Sequence, residues 1–255
     1  MLDWDSAFFG FPVARIDASV NKCASLKEML SELRKRGIAL AYWDTSPDDA
    51  EINAVAVELG GRLVDTRHRF RRQITPSNAP KDQFKRPVIT GANMQTLIQL
   101  ALECATHSRF RADPQVPEGL CEELYRIWMY KSITGELANA LLIEWDGGDP
   151  IGFVTLYRRG KMAVIGLIAV AADRRNQGIA RRLLNRAAEW SAADGCSEVE
   201  LVTQARNTPA VSAYERIGFT LHDLTNVYHF WLSDAWRKPV CGMVVGADAA
   251  KRGAK

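Results

Sequence analysis

Apolar positions change their spacing repeatedly along this chain, and each change predicts an element. Leu26, Met29, Leu30 and Leu33 recur at helical spacing and predict a helix over residues 24–36. On either side of it, Phe11 to Ile16 and the nearly continuous apolar run Ile38 to Trp43 read as strands. Ser46-Pro47-Asp48-Asp49 reads as a helix start, with a capping serine and proline at the first helical position. Gly60-Gly61 ends that helix, and strands near Leu63 and Phe70 complete a small α/β unit over residues 1–75. The proline-bearing, polar stretch that follows is assigned to a linker, residues 76–86.

A second unit is predicted over residues 87–232. It begins with a strand (87–91), two helices (93–107 and 119–133) and two strands (137–145 and 150–158). An apolar strand ending at Val170 then leads into an arginine-rich turn, and Gly178 opens a helix in which Leu183, Leu184, Ala187 and Ala188 recur on one face. The strand EVELVTQ, a helix carrying Tyr214 and two final strands complete it. Residues 233–255 mix Gly, Ala, Lys and Arg without periodicity and read as a peripheral extension. The fold class is α/β with a mixed sheet, and no internal repeat or low-complexity block is evident.

Composition narrows the class without changing this outline. A chain of 255 residues, 47% hydrophobic and 25% charged, has room for one large or two modest soluble domains. A formal net charge of +3 argues against an obligate nucleic-acid binder. The opening residues lack a signal-peptide pattern and no apolar run reaches the ~20 residues of a membrane span, so no membrane partner is expected. The five cysteines, Cys23, Cys104, Cys121, Cys196 and Cys241, never form a CxxC pair. That pattern favours reduced thiols in a cytoplasmic protein and offers no metal site.

The chemistry concentrates between residues 164 and 219. A strand emptying across a small-residue turn into a helix leaves several N–H groups unpaired at the positive end of the helix dipole, which suits a phosphate. Downstream, Asn207 and Tyr214 stand just ahead of Gly218-Phe219. Arg175-Asn176-Gln177-Gly178-Ile179-Ala180 fits the pattern Gln/Arg-x-x-Gly-x-Gly/Ala. Asn207, Ala210, Tyr214, Gly218 and Phe219 fit Asn-x-x-Ala-x-x-x-Tyr-x-x-x-Gly-Phe. Both motifs, in this order, resemble those of the GNAT superfamily of acyl-CoA N-acyltransferases, and the resemblance covers roughly residues 87 to 232.

That resemblance implies a GNAT core preceded by a smaller, degenerate GNAT-like unit, with acetyl-CoA as cosubstrate. It assigns the pyrophosphate to the loop from Arg175 to Ala180; Arg174, Arg175, Arg181 and Arg182 crowd the same turn, within reach of the coenzyme's other phosphate. It assigns the pantetheine arm and the thioester oxygen to the backbone of Ile168, Ala169 and Val170, and a further coenzyme contact to Asn207. Asn207 also sits just before Thr208-Pro209, where an asparagine can cap the helix. Tyr214, at the coenzyme, is the expected general acid, because a phenol of pKa ~10 can protonate a thiolate of pKa ~8.5. Cys104 is placed on a helix and Cys196 on a surface turn, away from the reacting carbon, so direct attack in a ternary complex is preferred to an acyl-enzyme. Glu144, Asp146 and His107 are the candidates for a general base.

The acceptor is read from other residues. Trp4-Asp5-Ser6-Ala7-Phe8-Phe9-Gly10 and Ser108-Arg109-Phe110-Arg111 resemble the TDP-fucosamine acetyltransferase type, which acts on nucleotide-linked deoxy sugars. Arg109 and Arg111 would meet a diphosphate and Phe110 a ring face, with Tyr125, Trp128 and Tyr130 as further candidates. The segment departs from that type after Arg111, where Ala112-Asp113-Pro114 follows. The reading is therefore an N-acetyltransferase for a nucleotide-activated amino sugar in polysaccharide precursor synthesis, with a homodimer left open. Two alternatives stand beside it: an acceptor of aminoglycoside or peptide type, and a non-catalytic module that binds acyl-CoA to regulate a partner.

Overall fold

The computed structural model describes residues 1–17, 19–20, 22–77 and 81–234. In chain order the first elements are α1 (Asp3–Phe9), β1 (Val13–Arg15), α2 (Cys23–Lys35), β2 (Leu40–Thr45), α3 (Ala50–Glu58) and β3 (Arg62–Gln73). Next come α4 (Gly91–Cys104), α5 (Arg109–Ala112), α6 (Leu120–Thr134), β4 (Ala140–Asp146), β5 (Asp149–Arg159) and β6 (Met162–Val170). The last are α7 (Ile179–Ala193), β7 (Glu198–Gln204), α8 (Thr208–Arg216) and β8 (Thr220–Trp231).

Packing divides the chain into two compact units that do not follow chain order. The first gathers residues 1–67, 109–120 and those from 224 on; the second holds residues 68–108 and 121–223. Residues 75 and 87, near which boundaries are expected, both lie in the second unit, and β3 is one continuous strand rather than two short ones near Leu63 and Phe70. Residues 78–80 of the expected linker, and the expected extension from residue 235, lie outside the described residues.

In the first unit the strands run in the order β1-β2-β8-β3, β1 parallel to β2 and β2 antiparallel to β8. The period-two alternation of a strand sorts its side chains onto opposite faces. Ala14, Ala41, Trp43, Tyr228 and Phe230 form a core with Leu26, Leu30 and Leu33 of α2 and Ile52 of α3. Helix α1 was not foreseen; it ends where the Gly10 N–H bonds Ser6 O at 3.0 Å, the glycine holding φ 73. Helix α3 starts later than the serine cap implied. The Ser46 hydroxyl closes a turn on the Asp48 N–H (3.3 Å), and the Asp49 carboxylate caps the helix by accepting the Ile52 N–H (3.1 Å).

The second unit carries β3-β7-β6-β5-β4, antiparallel from β6 to β4 and parallel between β6 and β7. Helix α7 buries Ile179, Leu183, Leu184 and Ala187, as the spacing requires, in a core with Phe70, Leu142, Val154, Leu201, Tyr214 and Phe219. The β4–β5 hairpin turns on Gly147-Gly148, both at positive φ (58 and 98), the two-residue turn whose twist suits a hairpin. The strand expected over 87–91 is absent: residues 85–90 are irregular, and Thr90 instead caps α4 by accepting the Asn93 N–H (3.3 Å). The two expected final strands are one continuous strand, β8. Cys196, expected on the surface, is buried in this core.

Candidate active site

Strand β6 is paired on one edge and free on the other over its last residues. Its antiparallel register with β5 continues to Gly152↔Val170, whereas its parallel register with β7 stops at Val164↔Glu200. The β5–β6 register shifts between Val154 and Leu156, where β6 carries an extra residue. The Thr155 hydroxyl accepts the Leu167 N–H there at 2.8 Å. Beyond that irregularity, Ile168, Ala169 and Val170 present backbone groups without a β7 partner in the register.

A cavity of about 570 Å³ opens along this free edge, wholly within the second unit. Its walls are Ile168 to Val170, the loop entering α7, the end of α4 and one face of α8. Gly178 sits at the N-cap of α7 with φ 77 and ψ 3, and Asn176 also lies at positive φ (62). The first intrahelical bond runs from the Arg182 N–H to Gly178 O (3.1 Å), so the N–H groups of Ile179, Ala180 and Arg181 precede it and face the cavity end of the dipole.

The arginines of this turn divide by partner. Arg174 pairs with Asp146 (2.8 Å), and Arg182 and Arg186 both pair with Glu144 (3.1 and 3.5 Å). Those pairs hold Glu144 and Asp146 on cations, and neither carboxylate lines the cavity. Arg175 is ion-paired to Glu103 and donates to Val170 O (3.3 Å). Arg181 lines the cavity, exposed, with no ion-pair partner among the described residues.

Of the residues expected at the coenzyme, Ile168, Ala169, Val170, Arg175, Asn176, Gly178, Ile179, Ala180 and Asn207 do line the cavity. Gln177 does not: its side-chain amide turns back to Asp173 O (3.4 Å). Asn207 stands at the N-cap of α8 without capping it, its amide instead donating to the Thr203 hydroxyl (3.4 Å). Tyr214, also expected at the coenzyme, does not itself line the cavity; it is buried beside the lining residue Ala213, its ring against Phe70 and Phe219 (centroids 6.0 and 6.2 Å). Burial, and then the neighbouring Cys104, raise its pKa well above the phenol range, so it keeps its proton at neutral pH.

Cys104 was expected away from the site but lines the cavity. Its thiol donates to Ile168 O (3.2 Å), and burial pushes it up to about 12. A group held so firmly as a thiol is a poor nucleophile. Sequence reasoning missed Glu103 and Cys104 because nothing local couples the end of α4 to β6. It also missed Ala213 and Ile217, whose helical spacing from Asn207 and Ala210 was a usable signal.

The proposed acceptor residues belong to the first unit. The Arg109 guanidinium lies over the rings of Tyr42 and Phe110 (4.9 and 4.5 Å). Phe110 is only 5% exposed and packs on Phe9, so its ring is enclosed rather than presented to a ligand; Arg111 is exposed. The rings of Tyr125 and Trp128 lie tilted against each other in the second unit (centroids 5.1 Å), and neither they nor the exposed Tyr130 line the cavity.

Comparisons with known proteins agree with this geometry. The acetyltransferase (GNAT) family model matches residues 95–219. A spore coat polysaccharide biosynthesis protein of Bacillus subtilis is 27% identical over 54% of this chain and 47% of its own length, so the chain spans about half of that relative. The dTDP-fucosamine acetyltransferase of Escherichia coli O6:H1 is 26% identical over 91% of this chain and 95% of that protein. Among solved structures, a GCN5-related N-acetyltransferase from Sphaerobacter thermophilus shares the fold with a TM-score of 0.54 and 17% identity, covering 82% of this chain and 66% of that one.

Proposed function

We propose, on the premise that residues 95–219 are an acetyltransferase domain of the GNAT family, that the chain acetylates the amino group of a nucleotide-linked (TDP-type) amino-deoxy sugar. GNAT acetyltransferases draw the acetyl group from acetyl-CoA. The observation that carries the donor half is the free β6 edge opening onto the unpaired N–H groups of α7. The likeness to a sugar acetyltransferase along nearly the whole chain supports the acceptor half. The product belongs to cytoplasmic synthesis of a polysaccharide precursor.

The residues then divide the work. The N–H groups of Asn176 to Ala180 receive the pyrophosphate with Arg175, and Ile168 to Val170 pair with the pantetheine amides. A β6 N–H aimed at the thioester oxygen contributes about 2.7–4 kcal/mol as charge develops on it. The acceptor nitrogen bonds to the carbonyl carbon, the carbon–sulfur bond breaks, and Tyr214 gives its proton to the departing thiolate. His107, in the cavity wall, is the remaining candidate to take the proton from nitrogen. Arg109, Phe110 and Arg111 stay proposed for the acceptor, with Arg109 the strongest of them because its Nε is buried without a partner.

Two measurements bear on this reading. Arg175→Glu should raise the KM for acetyl-CoA about ten- to a hundredfold, the worth of one or two charge-assisted bonds. An unchanged KM removes Arg175 from the phosphate site. The acceptor class is tested by thiol release from acetyl-CoA with TDP- and UDP-linked amino sugars, free aminoglycosides and peptides. Higher kcat/KM for the nucleotide-linked sugars is expected; preference for aminoglycosides or peptides selects the other acceptor, and no release with any amine selects the regulatory module.

A further inference from the structure

Which backbone groups face the free edge of β6 follows from one bond. The Ala171 N–H donates to Ile151 O of β5 (2.9 Å), and residues along an antiparallel strand turn their N–H and C=O groups to alternate sides. Ala169 therefore also faces β5, while Ile168 and Val170 aim theirs at the cavity. Both of those carbonyls are taken, Ile168 O by the Cys104 thiol (3.2 Å) and Val170 O by Arg175 Nε (3.3 Å).

Arg175 thus joins two walls of the cavity. Its Nε rests on β6, and its Nη2 is ion-paired to Glu103 in the last turn of α4. Both side chains line the cavity and both are open to solvent, Glu103 at 37% and Arg175 at 56%.

Glu103 is out of place on two counts. A carboxylate in the last turn of a helix faces the negative end of the dipole, and α4 has no basic residue there to offset it. It is also the one carboxylate among the described residues that line a cavity carrying Arg174, Arg175, Arg181 and Arg216. Glu144 and Asp146, the acids that hold other arginines of the α7 turn, stand outside that lining. Neither helix stability nor phosphate binding accounts for Glu103, and Arg175 is its one ion-pair partner among the described residues.

A phosphate that approaches Arg175 meets an anion already on the guanidinium. Either the carboxylate gives way or two anions share one cation, and both lower the affinity for the coenzyme. Arg181, in the same lining with no ion-pair partner among the described residues, carries no such penalty.

We propose that Glu103 is a built-in competitor of the coenzyme's phosphates: its carboxylate holds Arg175 until acetyl-CoA takes the guanidinium, and reclaims it as CoA leaves. Tighter binding of donor and product alike does not speed turnover once the site is filled, so a competitor that loosens both serves release. The inference rests on the donor half of the proposed function, acetyl-CoA at the α7 turn. Glu103 acts through Arg175 and is a positioning residue, not a catalytic one.

Calorimetric titration of acetyl-CoA into the full chain and into its Glu103→Gln, Arg175→Gln and doubly substituted variants tests it. Glutamine keeps an oxygen for Arg175 to bond and removes the charge. The Glu103→Gln chain should bind acetyl-CoA about three- to tenfold more tightly, the worth of one partly exposed ion pair, and release CoA more slowly by a similar factor in stopped flow. With Arg175→Gln in place, the same substitution should change neither quantity. An equal gain without Arg175 would show that Glu103 acts only as a nearby like charge, and overturns the competitor. Acetyl-CoA binding to the wild-type chain with no gain in Glu103→Gln also overturns it, and leaves the proposed function standing. Acetyl-CoA binding to none of the chains removes the donor half of that function, and this inference with it.

Discussion

Tyr214→Phe should lower kcat by about two to four orders of magnitude, the usual worth of a positioned general acid, with little change in the KM for acetyl-CoA. The substitution removes one oxygen from a ring that keeps its contacts with Phe70 and Phe219, so the fold and the cavity walls are retained. The phenol's raised pKa makes the test sharper. An acid must be protonated to act, and burial moves the loss of that proton upward. The wild-type rate should therefore show no alkaline fall at the ordinary phenol pKa of about 10. Steady-state kinetics across pH measure both; near-normal turnover in the variant would mean that the thiolate takes its proton elsewhere.

Phe70→Ala should cost about 3–5 kcal/mol of stability, the range for emptying a large core site. Phe70 is fully buried on β3, within the cluster that joins α7, β7 and α8. Its loss leaves a void that the surrounding β-sheet cannot close without moving a strand, and it removes one wall from Tyr214. Urea unfolding with the same m-value and a lower midpoint is the expected result. A loss below about 1 kcal/mol would show that this core relaxes around the cavity, against the packing described. Turnover should also fall more than substrate affinity, since the tyrosine, not the phosphate loop, loses its support.

The parts of this architecture that were readable in the chain are those encoded locally. Helix α7 was legible because its buried residues repeat at one spacing and Gly178 marks its start. The cavity-lining loop followed from the same few residues. Where the reading failed, a distant partner decided. The serine cap lost to Asp49 because the turn at Ser46 already used its hydroxyl. Glu144 and Asp146, read as candidate bases, pair with arginines of the α7 turn and stand outside the cavity lining. Cys104 enters the cavity only because α4 packs beside β6. The pairing of Glu103 with Arg175 was invisible for the same reason. The two are widely separated in the chain, and no spacing rule relates them.

The placement of acetyl-CoA at the α7 turn is the claim on which the rest depends, and titration of acetyl-CoA into wild-type and Gly178→Val chains tests it most directly. Gly178 holds φ 77, a conformation strained for valine, at the point where the N–H groups of the turn converge. The account predicts saturable binding to the wild-type chain and binding weakened by at least about a hundredfold in the variant, with its unfolding midpoint only modestly lowered. Equal affinity of the two chains for acetyl-CoA would contradict it.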